Sequence, residues 1–163
     1  MDDSSSKEYT LHMNTKTNIT EALASINQPL GVISTSNEQG NSQSAGLYYI
    51  TDENLNIFFV TRSASRKYKN IQNNPHVSFT VISEHPPVTI QLEGTAAEVM
   101  DPTEQTTYYD KLIAKATATT PMLPVSQIVT GEMVFMKITT TWARCGNFEI
   151  MKEGEKFIET TLQ

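Results

Sequence analysis

Short runs of β-forming residues, each ended by a turn cluster or a proline, recur along the chain and limit it to a sheet-rich fold. In the clearest run, Val77, Phe79 and Val81 occupy every second position between polar residues, as in a half-buried strand. Short antiparallel strands at regular spacing favour a closed barrel over an open sheet. The pattern predicts strands over Leu30–Thr35, Gln43–Ile50, Asn56–Thr61, His76–Ile82, Val88–Val99 and a long run from Glu132 past Trp142.

The apolar spacing changes from two residues to three or four in three places, which predicts three helices. The first is expected to begin within residues 17–20, at Thr17, Asn18 or Thr20 as its cap. Ser65 is a good N-cap for the second helix, and Pro102 suits the first turn of the third. Gly94, inside a predicted strand, indicates a bulge or bend there.

The composition excludes several classes of protein. A net charge of −6 argues against nucleic acid as the main partner, because a phosphate-binding surface needs basic residues. Cys145 is the only cysteine, and His12, His76 and His85 show no metal-ligand spacing, so neither a disulfide nor a metal site is predicted. No apolar run approaches the roughly 20 residues of a membrane span. The polar segment Met1–Tyr9 has no signal-peptide pattern, so we expect a cytoplasmic protein.

Basic residues concentrate where a strand is expected to lead into the second helix. Four of the chain's 12 basic residues fall within positions 62–69, which read RSASRKYK. The first turn of a helix offers free backbone N–H groups and a partial positive charge, both of which suit an anion. A solvated helix face explains the same cluster without a ligand. Its position at a helix N-terminus, where cations are unfavourable without an anion, favours a phosphate held by Arg66 and Lys67.

The string FFVTRSASRKYKNIQNNPHVSFTVI carries a family resemblance. A strand ending in an aromatic-x-Thr pattern, a short loop, Ser-Arg-Lys and a helix closed by Asn-Pro resemble the signature of pyridoxamine-phosphate-oxidase-like proteins. Within that superfamily the chain is most similar to the compact general stress protein subgroup. The resemblance implies a mainly β fold with a few helices, the FMN-binding split barrel, with six or more antiparallel strands in a Greek-key-like arrangement. It would span residues 18–150, between a flexible tail (1–17) and a C-terminal extension (151–163).

The resemblance also implies a cofactor, FMN, and a set of residues that bind it. The strand with Ala45, Gly46, Leu47 and Tyr48 would run along the flavin, and the phosphate would lie against Ser65, Arg66 and Lys67. In this family the cofactor lies between two subunits, so a homodimer is implied. The other implied contacts are Val60 and Thr61 near the ribityl chain, Thr89 at the position of a flavin-contacting glutamine, and Gln91 on the same strand face as its substitute.

Two departures from the true oxidases affect the expected substrate. Ile50 stands where those enzymes have a lysine for the substrate phosphate, and no Arg-x-His element follows Gly146. Oxidation of pyridoxamine phosphate is therefore not expected, and an FMN-dependent oxidoreductase acting on another small molecule is the leading hypothesis. Three alternatives stay open: a flavin-binding module without a substrate, for electron transfer or sensing, a relative that binds a deazaflavin, and one that binds haem.

Overall fold

The computed structural model describes residues 15–27, 29–119, 133–148 and 157–162. Within these ranges, three helices accompany eight strands. The helices are α1 (15–25), α2 (Arg66–Asn73) and α3 (Pro102–Thr119). The strands are β1 (Leu30–Ser36), β2 (Ser42–Tyr48), β3 (Ile50–Thr51), β4 (Ile57–Arg62), β5 (His76–Glu84), β6 (Pro87–Glu98), β7 (Met133–Asn147) and β8 (Ile158–Thr161).

The strands form one antiparallel sheet that curls into a barrel. Their order is β2-β1-β5-β6-β7-β4-β3, with β8 beside the second half of β7. The curl brings β2, at one end of this order, into contact with β4 near the other end, although the two strands are not paired. The prediction of a mainly β split barrel with at least six antiparallel strands is confirmed.

Two apolar clusters hold the barrel together. The larger one fills the interior with the inward residues of the strands, and α1 and α2 close it with Ile19, Leu23 and Ile71. The smaller one lies outside the barrel wall, where Leu112 of α3 packs on Phe58 and Phe135. Each helix is therefore held by its apolar stripe, as expected for short helices whose stability comes from packing. No helix in the described ranges has the length and apolar character needed to cross a membrane.

The chain turns a corner at Tyr49. The predicted strand Gln43–Ile50 is in fact two strands. The Tyr49 N–H still donates to the carbonyl of Pro29 (2.9 Å), which continues the pairing with β1, and from Ile50 the chain pairs with β4 instead. The Tyr49 ring is 1% exposed and contacts Phe79 edge-on, with 5.1 Å between ring centroids. Its hydroxyl is buried and has no hydrogen-bond partner among the described residues, and burial raises the pKa of this phenol.

Replacing Tyr49 by phenylalanine is expected to stabilise the protein by about 1 kcal/mol, because it removes an unsatisfied buried hydroxyl and keeps the ring. Urea unfolding, monitored by circular dichroism, measures the change in the free energy of unfolding. A loss of stability would show that the hydroxyl has a partner in the folded protein.

Gly94 lies at an irregularity of the sheet, as predicted. Glu93 pairs with Trp142 and Gly94 pairs with Thr140, so that Thr141 is the extra residue and the bulge belongs to β7. A Cβ atom at Gly94 would lie 2.2 Å from the carbonyl oxygen of Thr139. The two backbones approach this closely because residue 94 has no side chain.

Gly94→Ala is therefore expected to cost about 2–3 kcal/mol of stability, since the obstructing atom belongs to the backbone of β7. The midpoint of urea unfolding measures it. An unchanged midpoint would mean that β7 moves away freely.

Near both ends of the chain, the secondary structure differs from the sequence prediction. Helix α1 already includes residue 15, so Thr17, Asn18 and Thr20 lie inside it and the predicted cap is wrong. Thr20 instead donates from its hydroxyl to the Lys16 carbonyl (2.9 Å), a bond within the helix. Residues 1–14 and 151–156 of the predicted tail and extension lie outside the described residues, whereas residues 158–161 of that extension form β8.

Candidate functional site

The predicted phosphate-binding residues lie where β4 passes into α2. Ser65 caps the helix, and its hydroxyl oxygen accepts from the Tyr68 N–H (3.3 Å). That hydroxyl is also 3.0 Å from Oγ1 of Thr61, which is buried at the end of β4. Ser65 therefore has a fixed orientation, and Arg66 and Lys67 follow it as the first residues of the helix. The structure thus brings Thr61, Ser65, Arg66 and Lys67 together.

This helix start carries positive charge, and the part of the chain that the structure describes supplies no counterion for it. The first turn of α2 contains no acidic residue, and among the residues the structure describes neither Arg66 nor Lys67 pairs with a carboxylate. Arg66 is exposed, whereas Lys67 is partly buried, and this burial lowers the pKa of its ammonium group. A partly desolvated cation at the positive end of a helix is unfavourable, and a bound anion would relieve both effects.

One edge of β2 has no strand partner within the described ranges. β2 pairs with β1 on one side only, so backbone groups on its other side face the gap toward β4. Leu47 belongs to the barrel core and the partly buried Ala45 packs against it, so a ligand at this edge would meet mainly their backbone. Gly46 points outward, and a Cβ atom there would meet nothing within 4 Å. The edge therefore offers main-chain donors and acceptors beside open space.

Tyr48 and Val60 lie together on the outside of the barrel. Both are partly buried and pack against the smaller apolar cluster, which contains Phe58 and Leu112. Tyr48 ends β2 and Val60 belongs to β4, and these two strands come into contact without pairing. The two predicted residues thus form one apolar wall beside the open edge of β2.

Within one chain, Thr89 and Gln91 lie far from the start of α2. They alternate with buried Val88 and Ile90 and project from the outer face of β6. The phenol of Tyr68, in the first turn of α2, donates to Oε1 of Glu98 at the other end of β6. Gln91 precedes Glu98 by seven residues, about 23 Å along an extended strand. One chain therefore does not bring Thr89 or Gln91 to Arg66 and Lys67.

Side chains outside the predicted set dock α2 onto the barrel. The Asn70 side-chain amide donates to Oγ1 of Thr35 (3.0 Å) and to Oε1 of Gln43 (3.4 Å). Tyr68 adds its bond to Glu98, which raises the pKa of the phenol. Each partner lies 27 to 35 residues in sequence from the α2 residue that it bonds, so no local pattern indicates it.

Comparison with solved structures identifies the fold. A haem-binding protein from Mycobacterium smegmatis superposes with a TM-score of 0.71 at 12% identity, over 90% of this chain and 57% of that one, so the chain spans little more than half of its length. General stress protein 26 from Bacillus anthracis gives 0.63 at 18% identity, over 88% and 99%. A structure named F420 reductase gives 0.59 at 24% identity, over 76% and 94%.

The sequence itself identifies the family. None of the curated proteins matches the chain. The family model described as pyridoxamine 5′-phosphate oxidase matches residues 17–145, which include every predicted cofactor-binding residue. Because this match covers most of the 163 residues and agrees with the fold, the chain belongs to the pyridoxamine 5′-phosphate oxidase family.

Proposed function

We propose that the protein binds FMN and uses it as an oxidoreductase on a small organic molecule. The observation that carries the proposal is the cation pair at the start of α2. Lys67 is partly desolvated and Arg66 lies beside it, with no carboxylate partner among the described residues. A phosphate group matches this arrangement because it accepts the backbone N–H groups, a guanidinium fork and an ammonium together.

The rest of the site suits the other end of an FMN molecule. Arg66, Lys67 and the Ser65 hydroxyl would hold the phosphate. The unpaired edge of β2 offers N–H and C=O groups, which the polar edge of a flavin ring needs, and the open space at Gly46 admits a flat ring. Val60 and Tyr48 would cover its apolar part. When bound, the flavin would supply hydride or electron transfer, and the protein's part is to bind it, orient it and exclude water.

A second copy of the chain would complete the site. Within one chain, Thr89 and Gln91 are too far from Arg66 to contact the same ligand. If a second copy packed against the outer face of the sheet, its Thr89 and Gln91 could contact the ligand held by Arg66. That face exposes large apolar side chains, which is typical of a covered surface. They are Leu30, Val32, Ile82 and Phe148. We therefore include a homodimer, with the flavin at the subunit interface, in the proposal.

The alternative cofactors make different demands on this site. A phosphate-bearing deazaflavin would use the same cations and the same strand edge as FMN. Haem would need an axial histidine or methionine. Neither described histidine is near the start of α2, since His76 follows the C-terminal end of that helix and His85 lies in the β5–β6 turn. Met133, in contrast, lies opposite Arg62 in the β4–β7 register. His12 lies outside the described residues. The position of the cations therefore favours a phosphate-bearing flavin over haem.

Steady-state assays test the oxidoreductase part of the proposal. The FMN-loaded protein is mixed with NADH or NADPH and a quinone acceptor, and nicotinamide oxidation is followed by absorbance. We expect turnover above that of free FMN at equal concentration. Tightly bound FMN without turnover for any donor and acceptor would instead support a flavin-binding module for electron transfer or sensing.

A further inference from the structure

The Ser65 hydroxyl takes part in two hydrogen bonds at the start of α2. Its oxygen accepts from the Tyr68 N–H (3.3 Å), which satisfies one of the free N–H groups of the first turn. Oγ1 of Thr61 lies 3.0 Å from the same oxygen, a distance at which either hydroxyl can be the donor. A hydroxyl has one hydrogen and two lone pairs, so the direction of this second bond decides whether the Ser65 hydrogen is free.

The burial of Thr61 indicates which hydroxyl donates. Thr61 is 4% exposed, and among the described residues its hydroxyl has Ser65 as its only hydrogen-bond partner. If Ser65 donated, the Thr61 hydrogen would be buried without an acceptor, which is unfavourable. If Thr61 donates, its hydrogen has an acceptor, and the Ser65 hydrogen remains on a partly exposed side chain where a ligand can accept it.

A phosphate group at the start of α2 favours the same direction. Its charged oxygens are hydrogen-bond acceptors, so they repel a lone pair of Ser65 and attract its hydrogen. When Tyr68 and Thr61 both donate to Ser65, the two lone pairs are occupied and the hydrogen is the only group that Ser65 can offer. A hydroxyl that accepts hydrogen bonds also becomes a stronger donor, because neighbouring bonds polarise each other.

We propose that Thr61 is a positioning residue for the flavin phosphate: it donates to Ser65 and thereby directs the Ser65 hydrogen toward the ligand. This inference rests on the proposed function, because it requires a phosphate at the start of α2. The Thr61 hydroxyl would act through Ser65 and not by contacting the ligand. It would therefore contribute to the preference for a phosphorylated flavin over the same flavin without its phosphate.

Thr61→Val tests the inference, because it removes the hydroxyl and keeps a branched side chain that suits a strand. FMN and riboflavin, which lacks the phosphate, are titrated by fluorescence. We expect FMN affinity to fall about threefold to tenfold, the range for one neutral hydrogen bond, and riboflavin affinity to stay unchanged. Thr61→Ser should keep the FMN affinity of the unmodified protein. In a Ser65→Ala protein, Thr61→Val should cause no further loss, because the two residues act in series.

The matched control is Thr140→Val. Thr140 is also buried, and its hydroxyl donates to the Leu55 carbonyl (2.7 Å). It follows Val134, the residue opposite Thr61, by six positions in β7, about 20 Å along an extended strand. We expect Thr140→Val to lower the midpoint of urea unfolding but to leave the ratio of FMN to riboflavin affinity unchanged.

Several results would overturn the inference. Thr61→Val lowering the affinities for FMN and riboflavin equally would indicate a structural role, and an unchanged FMN affinity would indicate no role. A full further loss in the Ser65→Ala protein would mean that Thr61 acts on the ligand directly. Failure of the phosphate site itself would be seen before any substitution, because the unmodified protein would then bind FMN no more tightly than riboflavin.

Discussion

Replacing Arg66 and Lys67 together by alanine is expected to weaken FMN binding by at least about 100-fold while the barrel stays folded. A hydrogen bond to a charged group contributes about 1.5–3 kcal/mol, so two such groups account for about 3–6 kcal/mol of binding energy. The protein should keep its stability because Arg66 is exposed and the partial burial of Lys67 already disfavours its charge. Fluorescence titration with FMN gives the affinity, and thermal unfolding gives the stability.

The matched control is Arg62→Ala with Lys69→Ala. It removes the same charge from the same segment, but both residues are exposed and neither belongs to the proposed site. FMN affinity should stay close to that of the unmodified protein. Equal losses in the two double variants would mean that general electrostatics, and not a defined phosphate site, attract the flavin. Unchanged affinity in both would refute the phosphate assignment.

Ile82→Asp is expected to separate the proposed dimer and to weaken FMN binding at the same time. Ile82 is 76% exposed on the outer face and lies opposite Thr89 in the β5–β6 register. A carboxylate there would have to be desolvated if a second copy covered it, which is unfavourable without a partner charge. Light scattering measures the mass of the protein in solution. FMN titration measures how much affinity is lost when the partner's Thr89 and Gln91 are no longer present.

Met100→Asp is the control for this variant. Met100 is 78% exposed but lies beyond the end of β6 and not on the outer face of the sheet. We expect its mass and FMN affinity to match those of the unmodified protein. A monomeric unmodified protein would contradict the dimer. A monomeric Ile82→Asp protein with full FMN affinity would contradict the assignment of Thr89 and Gln91 to a shared site.

The sequence indicated the parts of the fold that depend on neighbouring residues. Alternation along β5 placed Val77, Phe79 and Val81 inside the barrel, and all three are buried. The run through residues 43–50 gave no sign of a corner, because the corner is a change of pairing partner, from β1 up to Tyr48 to β4 from Ile50. Gly94 marked the bulge, but a single-strand pattern does not show that the extra residue, Thr141, belongs to the partner strand.

The candidate site also has one part that the sequence pattern predicts and one part that it does not. Thr61, Ser65, Arg66 and Lys67 are close in sequence, and the strand-to-helix junction holds them together as the pattern indicated. The relation of Gln91 to this cluster depends on sheet register, which one sequence does not specify.

The absorption spectrum of the purified protein, recorded before and after incubation with excess FMN and desalting, tests the central claim most directly. The account predicts that the protein retains the two-band absorption of an oxidised flavin, in an amount approaching one flavin per chain. A protein that retains no flavin after this treatment would contradict the FMN site at the start of α2.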